Sequence, residues 1–298
     1  MPVSITPGVS NYSSASNLPA IGVSSLRSLV NFILSQINIP VAFAASTRRL
    51  SNAYTGPLIR VRRSSDNLEL DIPFTTDGDL DESVLISFVT TYSAFVTKVY
   101  DQSGNARDLT QTTAANQPRI VNAGLVDRIV RTGAGIARPG YVTDGVDDSL
   151  NTGDFTVAQP FSRSSVIGFL DPRNANQPVY LDVVIAGGTM ALVSRTDGTL
   201  QLSSVGVVAV ASGLTNTSTA TIVELVSQPN SFASYNGGLG AAGSISTTSI
   251  RGLLVGNLNS ASRYSNAIYS DIIIFPSKLS DSDRIILEAN QKKYYGTP

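Results

Sequence analysis

The chain has 298 residues, 42% hydrophobic and 14% charged, with a formal net charge of −1 and neither Cys nor His. That excludes a disulfide framework, thiolate metal sites and thiol nucleophiles, and it removes the commonest general base and metal ligand. Twenty-one basic residues form no run longer than Arg62-Arg63 with nearby Arg60, so no field favours nucleic acid.

The charged fraction is well below the roughly 25% of ordinary soluble domains, which leaves a neutral surface of Ser, Thr and Asn. The start, Met1-Pro2-Val3-Ser4-Ile5-Thr6-Pro7, lacks the charged and apolar regions of a secretory signal. No stretch reaches the about 18 apolar residues of a span, so membrane insertion is not expected. The sequence predicts a chain made in the cytoplasm without a leader.

Residues 1–22 are rich in Ser, Asn, Pro and Gly and are expected to form an arm. Then Leu26, Leu29, Val30, Ile33, Leu34 and Ile37 recur at helical spacing, with Ser24 or Ser25 to cap the start and Pro40 to end it. Two readings of this stripe stand side by side: packing on the domain's own sheet, or docking on a partner subunit. The domain division that follows is 1–40 for arm and amphipathic helix and 41–298 for the β domain.

From residue 41 the pattern is short β runs, among them Leu58 to Arg62, Phe95 to Tyr100, Ser164 to Leu170, Thr221 to Val226 and Ala267 to Phe275. Asp197-Gly198 and Asn236-Gly237 are hairpin signals, because these residues tolerate positive φ. Ser280 with Asp283 forms an acidic capping box for a last helix, which is expected to run to about Tyr294 and end at Gly296. The fold class expected is all-β.

Three blocks carry a resemblance. They are Ala45 to Leu50, Ala53 to Asn67 through Tyr54-Thr55-Gly56-Pro57, and Val99 to Gln111 through Asp101-Gln102-Ser103-Gly104-Asn105. Residues 45–122 thereby resemble the catalytic domain of the fungal-type α-L-arabinofuranosidase B family. Thr143 to Leu150 and Tyr269 to Gly296 resemble laminin G-like modules of phage and bacterial surface proteins. The resemblance implies a concanavalin A-like jelly-roll β-sandwich with an N-terminal arm and a few short helices.

It also implies where catalytic carboxylates would fall. A glycosidase needs two carboxyl groups about 5 to 9.5 Å apart. The counterpart of the family's nucleophile strand, Val179 to Gly188, has no Glu, and Leu258 stands where the acid would be. Of Glu69, Glu82, Glu224 and Glu288, Glu82 and Glu288 have ready structural readings on helices, while Glu224, in a β run, stands as the one catalytic candidate, and an outward-facing strand position is expected for it. No catalytic residue, metal ligand or cofactor is therefore expected.

Asp77-Gly78-Asp79-Leu80-Asp81-Glu82 alternates acids like a calcium loop but lacks the Gly and Glu that would complete it, so Asp81 is read as a helix cap. Gly145-Val146-Asp147-Asp148 is a second calcium candidate, and Asp101 to Asn105 is read as an Asx turn that fixes a strand exit. Tyr54, Tyr141, Tyr235 and Tyr264 lie near turns and are the candidate sugar platforms.

These observations lead to the expectation of a non-catalytic structural protein of a virus particle, a capsid decoration or a tail or neck subunit. Its expected location is the virion, and its partners are other virion subunits, copies of itself or a surface glycan. The alternatives are a free carbohydrate-binding adhesion module and a glycoside hydrolase related to arabinofuranosidases.

Overall fold

The computed structural model describes residues 32–129, 137–170, 179–182, 191–194, 200–203, 207–211, 219–227, 230–240, 243, 249–258 and 263–297. The fold is all-β of sandwich type. One large sheet curls until it is partly closed, and a few short helices lie against it.

The strand Asn266–Phe275 organises the sheet. On one side it pairs with Phe161–Phe169, which in turn pairs with Thr219–Val226 and then Phe232–Tyr235. On the other side two short strands share it: Phe43–Ala45 opposite residues 272–274, and Tyr141–Asp144 opposite 266–269. Ile272 and Ile274 enter the principal core with Phe43, Phe161, Ile222 and Tyr269, while Ile273 and Phe275 enter a second cluster with Leu50, Val223 and Leu287. The alternation of a strand thus serves two cores, which is why residues 267–275 are all buried, Ser270 and Asp271 included.

The opposing layer is Glu69–Ile72, Ile59–Arg63, Ala94–Val99 and Arg119–Asn122 in antiparallel order. It joins the first layer at Val142↔Arg119. A further path runs from Leu109–Thr110 through Leu150–Asn151 to Leu254–Val255 and then Val179–Asp182.

Local chemistry explains the element ends. Asn236 and Gly237 have φ of 49° and 88° and close the hairpin that pairs Tyr235 with Gly238. Helix α1 (Ile33–Gln36) is short, and Ile33, Leu34 and Ile37 pack into the second cluster of this chain. Leu26, Leu29, Val30, the residue 1–22 arm and Asp197-Gly198 lie outside the described residues. In α2 (Glu82–Val89) Asp81 accepts from the Val84 amide, as the sequence predicts. Helix α3 (Asp281–Tyr295) starts on Ser280, which accepts from the Asp283 amide at 3.1 Å, and stops at Gly296 with φ of 65°. Among the described residues no helix is long and apolar enough to cross a membrane.

Helix α3 sits on a layer of buried polar groups. Asp271 is at 0% exposure, where the neighbouring strand is interrupted between Ala45 and Tyr141. It accepts from Arg48 Nη2 at 2.6 Å, Ser46 Oγ at 2.6 Å, Tyr295 OH at 2.5 Å and Gln291 Nε2 at 3.3 Å. Burial opposes its charge, but the Arg48 guanidinium and these hydrogen bonds outweigh burial and hold the carboxyl below its ordinary value. That stabilisation is present above the ordinary carboxylate range and is lost as pH falls through the lowered folded value.

Removing one partner of such a pair leaves an uncompensated buried charge, at a cost of about 3 to 5 kcal/mol. Asp271→Asn is expected to lower the unfolding free energy by about that amount in urea titrations near neutral pH. Asp281→Asn, at a side chain 83% exposed, is the comparison and is expected to change little.

Candidate active site

The strand Tyr141–Asp144 ends opposite Asn266 and runs into a tight turn. Gly145 is at φ 78°, and a Cβ there would lie 3.2 Å from Asn266 Cβ, so glycine suits the position on both counts. Asp144 Oδ1 accepts from the amides of Val146, Asp147 and Asp148 at 2.8, 3.3 and 3.4 Å, and Asp148 Oδ2 accepts from the Asp144 amide at 3.1 Å. The turn therefore closes on itself from both ends.

Three carboxylates result in three environments. Asp144 is exposed, Asp147 is half-buried and Asp148 is 6% exposed, and one oxygen from each lies within 4.8 Å of the others. Burial, then repulsion by Asp144 and by Asp147, pushes the Asp148 carboxyl up to about 7, against the opposing pull of the Asp144 amide and Arg119. Near neutrality Asp148 can hold a proton beside Asp147. Two carboxyls at short range, one of them able to hold a proton, are what acid-assisted displacement at a glycosidic bond requires.

The turn is seated against the strands that the resemblance marks. A Cβ on Gly256, at φ 84°, would meet Asp148 O at 3.0 Å and Thr143 Cγ2 at 2.8 Å. Val255 pairs with Leu150 on one side and Leu181 on the other, and Asp182 stands opposite Leu254. The two sequence stretches expected to flank a glycosidase centre are thus neighbours. Leu258, at the position expected for the acid, packs against Ala191. In sequence the Asp147-Asp148 turn resembles a cation rim; three acids in five residues at a strand exit are the signal of the cluster.

A hard cation takes about six to eight oxygens, whereas this cluster offers three carboxylates, one of them held by amides and one readily protonated. In the Asp77 to Glu82 loop Asp79 accepts from Tyr294 OH and Arg138, and Glu82 pairs with Arg128. Asp101 accepts from the amides of Ala44, Ser103 and Arg107, in keeping with an Asx turn that ties a strand exit to its neighbour.

The structure corrects the expectation for Glu224. It does not face outward: it shares the inner face of Ile222 and Val226, is 1% exposed and lies directly opposite Arg163, whose Nη2 donates to Oε1 at 2.8 Å. The partner, 61 residues earlier, is what the strand pattern could not display. Of the candidate sugar platforms, Tyr141 is fully buried and stacked on Tyr269, with ring centroids 5.7 Å apart. Tyr54 is half-buried, packs on the principal core and donates to Pro57 O; Tyr235 and Tyr264 lie half-buried on separate strands. The four do not form one platform.

Comparison with known proteins places this geometry in context. Residues 33–135 match the family described as α-L-arabinofuranosidase B, catalytic. The α-L-arabinofuranosidase B of Aspergillus oryzae is 34% identical over 114 residues, covering 38% of this chain and 22% of that protein. The enzyme of Emericella nidulans is 40% identical over 72 residues, 24% of this chain and 14% of the relative. The chain thus spans about a fifth of the curated relatives it matches, or less. The fold is that of an arabinofuranosidase crystallised with arabinofuranosyl-α-1,2-xylobiose: TM-score 0.64, 17% identity, covering 87% of this chain and 63% of that one.

These findings overturn the expectation of a non-catalytic virion protein, and with it the phage assignment, the virion location and the capsid, tail or self-assembly partners. The physical reason is in the composition. A chain without Cys or His is barred from thiol and imidazole chemistry, but glycoside hydrolysis runs on carboxyl groups alone, and 22 acidic residues supply them.

Carboxyl-selective NMR is expected to show one Asp titrating near 7 that disappears in Asp148→Asn. Folding raises this group's proton affinity, so its contribution to stability is intact below the ordinary range and is lost as pH rises through about 7. Asp148→Asn, which keeps an acceptor for the Asp144 amide, is expected to be more stable than the parent above that pH and equal to it in acid. EDTA is expected to leave the melting temperature unchanged; a large drop reversed by calcium would assign the cluster to a cation.

Proposed function

We propose that this chain is a glycoside hydrolase of the arabinofuranosidase type, releasing α-L-arabinofuranosyl units from glycans, on a sandwich of the concanavalin A-like jelly-roll kind. The observation that carries the reading is the match of residues 33–135 to the catalytic family, a segment that builds the layer joined at Arg119 and Thr110 to the strands around Asp148. Such substrates lie outside cells, which makes an extracellular place of action part of the proposal.

In this reading Asp148, protonated near neutrality, gives its proton to the departing glycosidic oxygen. Asp147, whose carboxylate has no hydrogen-bond partner among the described residues, is the member that attacks the anomeric carbon. The close spacing of the cluster matches the about 5 to 5.5 Å of retaining enzymes better than the about 6.5 to 9.5 Å of inverting ones, which must leave room for a water. Water then releases the arabinose, with Asp148 taking the proton back.

The leaving group separates the two roles. With arabinofuranosyl xylobiose the departing alkoxide needs a proton, so Asp148→Asn is expected to lower kcat/KM by about 10²- to 10⁴-fold. With 4-nitrophenyl α-L-arabinofuranoside the leaving group is already stable as an anion, and the loss is expected to be much smaller. Asp147→Asn is expected to abolish turnover of both. Activity on the xylobiose derivative should fall as pH rises through about 7, as Asp148 loses its proton. The absence of hydrolysis of either compound by the folded parent would overturn the proposal.

A further inference from the structure

Away from the aspartate turn, a cleft of about 460 Å³ opens between the residue 41–42 segment, the 105–107 loop, the 156–159 segment and Pro276. That volume lies in the range of about 300 to 1,000 Å³ usual for small-molecule sites. Arg107 is the only charged residue among those lining it. Its Nη1 donates to Ala42 O at 2.7 Å and its guanidinium lies 4.4 Å from the Phe155 ring centroid. Two contacts therefore hold the plane in place while the Nε and Nη2 donors make no hydrogen bond among the described residues. A fixed guanidinium with an open Nε–Nη2 edge is the fork that matches the two oxygens of a carboxylate.

The rest of the lining suits a sugar. Asn105 spends its amide protons on Val41 O, Ala42 O and Ser103 Oγ, which anchors the side chain and leaves Oδ1 to accept from a hydroxyl. Thr156 adds a hydroxyl, and Val41 and Pro276 offer apolar surface for the C–H face of a pyranose. With one cation and no acid in the lining, a neutral saccharide would leave the guanidinium edge unused.

We propose that this cleft is a binding site for an acidic saccharide, with the uronate carboxylate held on the Nε–Nη2 edge of Arg107. The site uses none of the residues assigned to hydrolysis, and its occupancy does not depend on that reading.

The test is calorimetric or NMR titration of the folded chain with digalacturonate and with neutral galactobiose. Digalacturonate is expected to bind, and galactobiose to bind at least about tenfold more weakly, because charge-assisted forks are about twice as strong as neutral hydrogen bonds. Arg107→Lys, which keeps the charge but loses the fork, is expected to weaken digalacturonate binding several-fold. Ala158→Asp, a substitution at an exposed lining residue, places a repelling charge in the cleft and should abolish it without disturbing the fold. No binding of digalacturonate at about 10 mM would overturn the proposal. So would equal affinity for the two disaccharides, or affinity unmoved by both substitutions in chains whose melting temperature matches the parent.

Discussion

Asp271 holds a charge where water does not reach, and the middle of the molecule is arranged to make that tolerable. The adjoining strand is broken between Ala45 and Tyr141, opposite Ser270 and Asp271. Arg48 enters through the gap, stacked over the Tyr294 ring at 4.3 Å, and Ser46, Tyr295 and Gln291 supply the remaining donors. A buried ion pair alone often contributes little because desolvation offsets the attraction; with every acceptor satisfied it fixes geometry instead. It sets the register of two short strands on one long one and seats α3 over both.

The same balance of burial against partnering separates the acids of this chain. Asp271 and Glu224 are as buried as any residue, and both face a guanidinium. Asp148 is nearly as buried, but its neighbours are Asp144 and Asp147, so its carboxyl is pushed up where that of Asp271 is held low. A carboxylate locked to an arginine is structural, whereas one poised between charge states has something to exchange with a substrate.

Local signals were legible where the physics is local. Asn236-Gly237 read correctly as a hairpin turn, Ser280 with Asp283 as a helix start, Asp81 as a cap, and the 271–275 run as a buried strand, because each depends on residues a few positions apart. What could not be read depends on distant ones. Glu224 reads as an outward strand residue because Arg163 is not its sequence neighbour, and Tyr141 reads as a rim aromatic because Tyr269, its partner on the adjacent strand, is 128 residues away in sequence. The resemblance marks the segment similar to the catalytic family and the two strands beside the aspartate turn. The absent Glu in one and Leu258 in the other point away from chemistry, and no local pattern shows that the 144–148 turn packs against Gly256.

The sheet's central strand is also its most delayed. Phe43–Ala45 finds its ladder partner only in residues 272–274, and the Arg48 to Asp271 pair closes a loop 223 residues long. Both contacts are remote in sequence, so the first layer keeps an open edge until residues 266–275 pair with Phe43–Ala45 on one side and Phe161–Phe169 on the other. Loop closure on that scale makes assembly slow and leaves strand edges available to other chains meanwhile. Dilution, or a chaperone that shields edges, counters that exposure in proteins of such topology.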